Sequence, residues 1–195
     1  MILRLQKWWP VLAGGLLALV AAAYLSGGGP GGSADDGAWP QGRLEAAGQF
    51  VAGPLAPELS GSISFYRLDE GTLVTVEVQG LPPYRPAAAG MDPIGPYGFH
   101  IHEFGVCETG DPDDPFLSAG MHWNPDNQPH GNHPGDFPVI FSEQGRAFMS
   151  FVTRRFTPRD VVGLSVIIHE HPDDYRTQPT GSSGRRLACA LIEQS

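Results

Sequence analysis

Seven histidines fall between His100 and His171, and the chain has no others. The run Gly98-Phe99-His100-Ile101-His102 reads as a strand, on which alternate side chains share a face, so His100 and His102 can present two imidazoles to one ion. Downstream come His122 in Met121-His122-Trp123-Asn124-Pro125, then His130, His133 and Asp136 in one short stretch, and finally His169 after Ile167-Ile168. Imidazole suits copper and zinc, and an aspartate among several histidines suits a closed zinc site. A lone histidine is most often a surface or satisfied core residue. Six histidines and one aspartate inside 70 residues point instead to metal binding, with ligands enough for two sites.

These residues need a scaffold that gathers separate segments. Val74, Val76 and Val78 alternate with Thr75, Glu77 and Gln79, the period of a half-buried strand, and residues 61–68 are its hairpin partner across Asp69-Glu70-Gly71. Residues 98–104 form the strand that carries His100 and His102. Residues 107–136 hold five prolines among many Gly, Asn and Asp residues, so they form a loop; a loop that long in a compact domain is functional, and His122, His130, His133 and Asp136 lie on it. Residues 137–141 and 147–153 flank a turn, residues 161–169 form a strand ending on His169, a second loop spans 170–185, and a last strand covers 186–192. Many short strands without a convincing helix indicate an all-β sandwich or barrel.

The net charge of −9 excludes the basic face that a nucleic-acid binder needs, so no nucleic-acid partner is expected. Residues 1–25 carry Arg4 and Lys7 followed by an uncharged apolar stretch from Trp8 to Leu25. That is a signal peptide or an N-terminal transmembrane anchor, and either implies export. Residues 26–43, rich in Gly and Pro, form a flexible linker, and the folded domain covers 44–195. Without residues 1–25 the charge is about −11, which repels an anionic substrate globally and leaves attraction to local arginines. Cys107 and Cys189 are the only cysteines. In an exported protein such a pair reads as a disulfide, in the cytosol as two thiols.

The segments Gly98-Phe99-His100-Ile101-His102-Glu103, Ser118-Ala119-Gly120-Met121-His122-Trp123-Asn124-Pro125, His133-Pro134-Gly135-Asp136, His169-Glu170-His171-Pro172-Asp173-Asp174-Tyr175 and Gly184-Arg185-Arg186-Leu187-Ala188-Cys189 occur in an order that resembles the copper/zinc superoxide dismutase family, most closely its bacterial, exported branch. The resemblance covers roughly residues 45–195. It implies an eight-stranded Greek-key flattened barrel with two long functional loops, and disproportionation of superoxide to oxygen and hydrogen peroxide. It also implies that His100, His102, His122 and His169 bind copper and that His122, His130, His133 and Asp136 bind zinc, with His122 bridging the ions and carrying a proton. Asp173 resembles the carboxylate that accepts hydrogen bonds from one copper and one zinc histidine, here His100 and His130. Arg186 matches the arginine that holds the anion beside copper, and the Cys107–Cys189 disulfide follows from the same likeness.

Some features depart from the family. The two-residue gap between His130 and His133 makes the zinc segment compact. His171 occupies a position that need not be histidine and reads as solvent-exposed, Arg185 reads as a surface charge, and residues 84–96 form an insertion without an assigned role. An exported copper-binding or copper-buffering protein on the same scaffold is the alternative; Arg186 favours the enzyme, because storage needs no group to hold an anion. The expected partners are superoxide as substrate, the membrane if the N-terminal segment is uncleaved, and a second copy in a homodimer.

Overall fold

The computed structural model describes residues 41–195; the expected signal or anchor at 1–25 and most of the linker lie outside the described residues. Among the described residues there are nine strands: β1 (Arg43–Gln49), β2 (Val51–Ala52), β3 (Ser60–Leu68), β4 (Gly71–Gln79), β5 (Phe99–His102), β6 (Arg146–Thr153), β7 (Ser165–His169), β8 (Arg186–Leu191) and β9 (Glu193–Gln194). They build a five-stranded sheet in the order β6-β4-β3-β1-β9 and a four-stranded sheet in the order β2-β8-β7-β5. Among the described residues, no helix is long and apolar enough to cross a membrane.

The all-β Greek-key architecture is as expected, with three differences in its strands. Residues 137–141 meet the β5 side only through one bond from Phe137 N–H to Phe99 O at 3.2 Å and a reciprocal pair between Tyr97 and Ile140, both at 2.9 Å. Pro138 between them has no N–H with which to continue a ladder. The strand expected at 161–169 begins at Ser165 instead. Pro158–Val161 forms a 3-10 turn closed by Thr157 and Asp160, and Gly163 at φ 85° ends the run. β1 opens at Arg43, within the expected linker: Ala46, Ala47 and Gly48 have weak strand preference of their own, and pairing with β3 imposes the strand.

Alternation places the core. Ile63 faces Val76 and Phe65 faces Val74 across β3 and β4, and all four are buried. In the second sheet Phe99 and Ile101 of β5 pair with Ile168 and Val166 of β7, which in turn oppose Ala188 and Ala190 of β8. These side chains meet those of the first sheet in one continuous core. Period two then forces His100, His102, Ile167, His169 and Cys189 to the opposite, outer face. That face is buried as well, because the long loops lie over it: Phe116 and Ala119 pack on Ile167 and Cys189, with Cys107 against them. Cys107 and Cys189 form a disulfide with Cα atoms 5.5 Å apart, which pins the first loop to β8.

The bridge closes a separation of 82 positions, for which loop entropy alone gives about 4–5 kcal/mol. The denatured, unreduced protein should therefore titrate with no free thiol, and replacing both cysteines by serine should lower stability by about 2–5 kcal/mol in a denaturant titration. Two free thiols in the unreduced protein would refute the bond.

Candidate metal centre

β5 is the edge of its sheet, and the loops dock their main chain onto its open side. Trp123 N–H donates to Ile101 O at 2.9 Å and Glu103 N–H to Met121 O at 2.9 Å, while Ile101 N–H donates to Gly135 O at 3.1 Å. These bonds set His122 opposite His102 and Asp136 opposite His100. On the other side of β5 the β7 ladder ends with His169, whose N–H donates to Gly98 O at 2.8 Å. Local strand geometry and a few backbone bonds thus converge five of the seven expected ligand residues, and His130 and His133 lie on the short segment that leads to Asp136.

The expected ligands form two groups, each with its donor atoms within 4.8 Å of one another: His100, His102, His122 and His169, and His122, His130, His133 and Asp136; among the described residues a third group, His100, His130 and Asp173, meets the same spacing. Hydrogen bonds decide which nitrogen of each ring faces inward. His100 Nε2–H donates to Asp173 Oδ2 at 2.6 Å, and His130 Nε2–H to Asp173 Oδ1 at 2.9 Å. His102 Nδ1–H donates to Gly120 O, His169 Nδ1–H to Gly184 O, and His133 Nε2–H to Gln128 O. With those protons placed, His102 Nε2 and His169 Nε2 face each other at 3.3 Å with only lone pairs between them. His100 Nδ1, His122 Nε2 and His130 Nδ1 are buried without any hydrogen-bond partner. On the other side His122 Nδ1–H donates to Asp136 Oδ1 at 3.2 Å, and the His133 Nδ1 lone pair lies 3.2 Å from the same oxygen. Buried lone pairs directed at one another are costly unless a cation lies between them, so the residues present fit two metal ions.

Electrostatics agree. Burial pushes the pKa values of His102 and His169 well below the usual histidine range, assisted by the neighbouring imidazoles and Arg186. Burial also brings His122 down to about 4. All three are neutral at pH 7, the form that binds metal. Burial opposes ionisation of Asp136 and Asp173, but hydrogen bonds from His122 to the first, and from His100 and His130 to the second, hold both below the usual carboxylate range.

Arg186 begins β8 beside this cluster. Its guanidinium donates to the carbonyls of Phe116 and Gly120, the latter at 2.6 Å, and Gly120 O also accepts from His102. One peptide therefore orients both an imidazole and the cation. Gly120 has φ 76°, and a side chain there would strike the Phe104 ring. Arg185 precedes the strand and forms a two-pronged ion pair with Glu170 at 2.9 and 3.0 Å. His171 is not the exposed residue expected: it is half-buried, with Nε2 3.3 Å from Glu170 Oε1, and belongs to neither ligand group.

The family model described as copper/zinc superoxide dismutase matches residues 59–192. The chain belongs to the copper/zinc superoxide dismutase family. It is 35% identical to a superoxide dismutase [Cu-Zn] of Deinococcus radiodurans over 70% of this chain and 78% of that protein. It is 32% identical to superoxide dismutase [Cu-Zn] 1 of Aquifex aeolicus, over 70% of this chain and 81% of the relative. The solved Cu/Zn superoxide dismutase from Brucella abortus superposes with a TM-score of 0.61 at 26% identity, covering 76% of this chain and 100% of that one. The chain is accordingly an enzyme that disproportionates superoxide, with copper and zinc as its cofactors.

Sequence reasoning missed the main-chain carbonyls of Phe116, Gly120, Gln128 and Gly184, and the side chains of Glu170, Tyr175 and Gln178. Every residue carries a carbonyl, so no residue type marks the first four. The other three act through contacts between loops that no spacing encodes.

Asp173 accepts with both oxygens, whereas asparagine would turn an NH₂ toward one imidazole N–H. Asp173→Asn should weaken zinc binding by about 10–100-fold in a chelator competition, the range for lost partners of metal-binding histidines. Unchanged zinc affinity would show that the carboxylate does not orient these rings.

Proposed function

We propose that His100, His102, His122 and His169 hold the copper and that His122, His130, His133 and Asp136 hold the zinc, with His122 shared. Arg186 attracts superoxide to the copper side. The observation that carries this reading is the set of inward-facing lone pairs, which falls into two groups with only His122 in common. Copper, when bound, supplies one-electron chemistry, oxidising one superoxide to oxygen and reducing a second, which leaves with two protons as hydrogen peroxide. The residues do the rest. Arg186 keeps its charge at all working pH values and is anchored by two carbonyls, so it presents its remaining N–H groups to a small anion without reorganising. His122 Nε2 has no protein partner and is the atom on which a proton can be carried to the reduced product. Zinc has no redox chemistry, and its ligands fix the Nδ1 side of His122.

The domain works outside the cytoplasm, where a disulfide persists. Residues 1–25 serve as signal peptide or membrane anchor, and the residues between them and β1 as the tether. A homodimer is supported by Phe104, Met121, Val162 and Leu191, large apolar side chains exposed near the close approach of Gly105 to Gly163 and Leu191.

His102→Ala should lose copper and all activity, whereas His133→Ala should lose zinc first and keep more copper, as read by metal analysis of the purified variants. Equal copper loss in both would contradict the two-site assignment. Arg186→Ala should retain both metals while activity falls about tenfold or more, and wild-type activity should decline with added salt. Full activity in Arg186→Ala would remove the arginine from the reaction, whereas copper-loaded wild type without activity would favour copper storage.

A further inference from the structure

We infer that Gln178 and Tyr175 are positioning residues that set zinc affinity by holding the two ends of the ligand segment 130–136 from outside it. The inference rests on the assignment of His130, His133 and Asp136 to zinc.

A ligand segment this short has little structure of its own. Its internal main-chain bonds are two turns, Asn132 N–H to Pro129 O and Asp136 N–H to His133 O, both at 3.1 Å. Two more bonds, from Gly131 N–H and His133 N–H, end on Asp136 Oδ2 and so depend on a ligand side chain already being in place. At the leading end His130 is buried, and among the described residues no main-chain group pairs with its N–H or C=O. Gln178 takes both: its Oε1 accepts from His130 N–H at 2.9 Å, and its Nε2 donates to His130 O at 3.4 Å. The side-chain amide thus stands in for a neighbouring strand. At the trailing end the Tyr175 hydroxyl accepts from Val139 N–H at 2.9 Å and donates to Phe137 O at 3.0 Å, fixing the backbone that follows Asp136.

Both holding residues come from the second loop, and that loop is itself braced. The Asp174 carboxylate accepts from Arg176 N–H and Thr177 N–H at 2.9 and 2.8 Å, forming the turn that delivers Gln178. Tyr175 N–H donates to Asp173 Oδ1 at 2.7 Å. The two loops touch closely: a side chain at Gly131, where φ is 89°, would strike Tyr175 O. A segment held in its bound shape by outside contacts leaves the ion less ordering to impose, which raises affinity. Neither Gln178 nor Tyr175 bonds to His102 or His169, so copper affinity should not follow theirs.

The test uses the full chain loaded with both metals, with zinc competed by a chromogenic chelator and cobalt placed in the zinc site as a visible-spectrum probe. Gln178→Ala and Tyr175→Phe should each raise the zinc Kd about tenfold and change the cobalt bands, with copper content and the disulfide unaltered. Gln178→Glu keeps an acceptor for His130 N–H and should stay within about threefold of wild type. Wild-type zinc affinity in both Gln178→Ala and Tyr175→Phe would overturn the inference. So would equal loss of both metals in all three variants, which is the mark of a merely structural role. His133→Ala separates the two levels: if it binds zinc as wild type does, the zinc assignment falls and the inference with it. If it loses zinc while Gln178→Ala and Tyr175→Phe do not, the inference alone falls.

Discussion

A neutral imidazole has one N–H, and the nitrogen that carries it cannot hold a metal ion. Each ring proposed to bind one ion, the shared His122 apart, must therefore be given an acceptor on its far side, and one buried carboxylate supplies two of them. Asp173 accepts from His100 and His130 with separate oxygens, turning Nδ1 of both rings inward. The remaining rings are set by carbonyls of Gly120, Gly184 and Gln128. Room for the carboxylate is itself arranged. Gly181 has φ 66°, and a Cβ there would collide with Asp173 Oδ1 and His130 Nε2.

The same carboxylate joins two halves of different construction. The half proposed for copper rests on the sheet: His100 and His102 alternate along β5, and His169 ends the adjacent β7. Their backbone is fixed by the ladder and by a core packed beneath it. The half proposed for zinc stands on a loop whose regularity is limited to a few turns, and it borrows order from a second loop. Loss of a contact in the loop half should therefore be felt first by zinc, whereas damage to β5 or β7 should be felt by copper and by the fold together.

What could be read in the sequence follows this division. His100-Ile101-His102 announces itself by period two, the Val74–Val76–Val78 alternation marks β4, and the proline content of 107–136 marks a loop that ends in ligands. Asp173 and both of its partners could be named because a resemblance supplied the roles. β1 was hidden because Ala46, Ala47 and Gly48 do not prefer a strand until β3 offers them one. Residues 137–141 looked like a strand by composition, and Pro138 reduces them to bridges. Gln178 and Tyr175 were illegible for a different reason: a glutamine beside a proline and a tyrosine in a loop acquire meaning only when another loop, some 40 residues away in sequence, folds against them.

The docking of the ligand loops on β5 has a consequence for solubility as well as chemistry. An edge strand with bare N–H and C=O groups is a template on which any extended chain can add itself. Here Met121, Trp123, Gly135 and Phe137 occupy those groups, so the segment Phe99–His102 is closed to intruders by the same bonds that assemble its ligands. Gathering these ligands and guarding the sheet's margin are, in this molecule, a single act of folding.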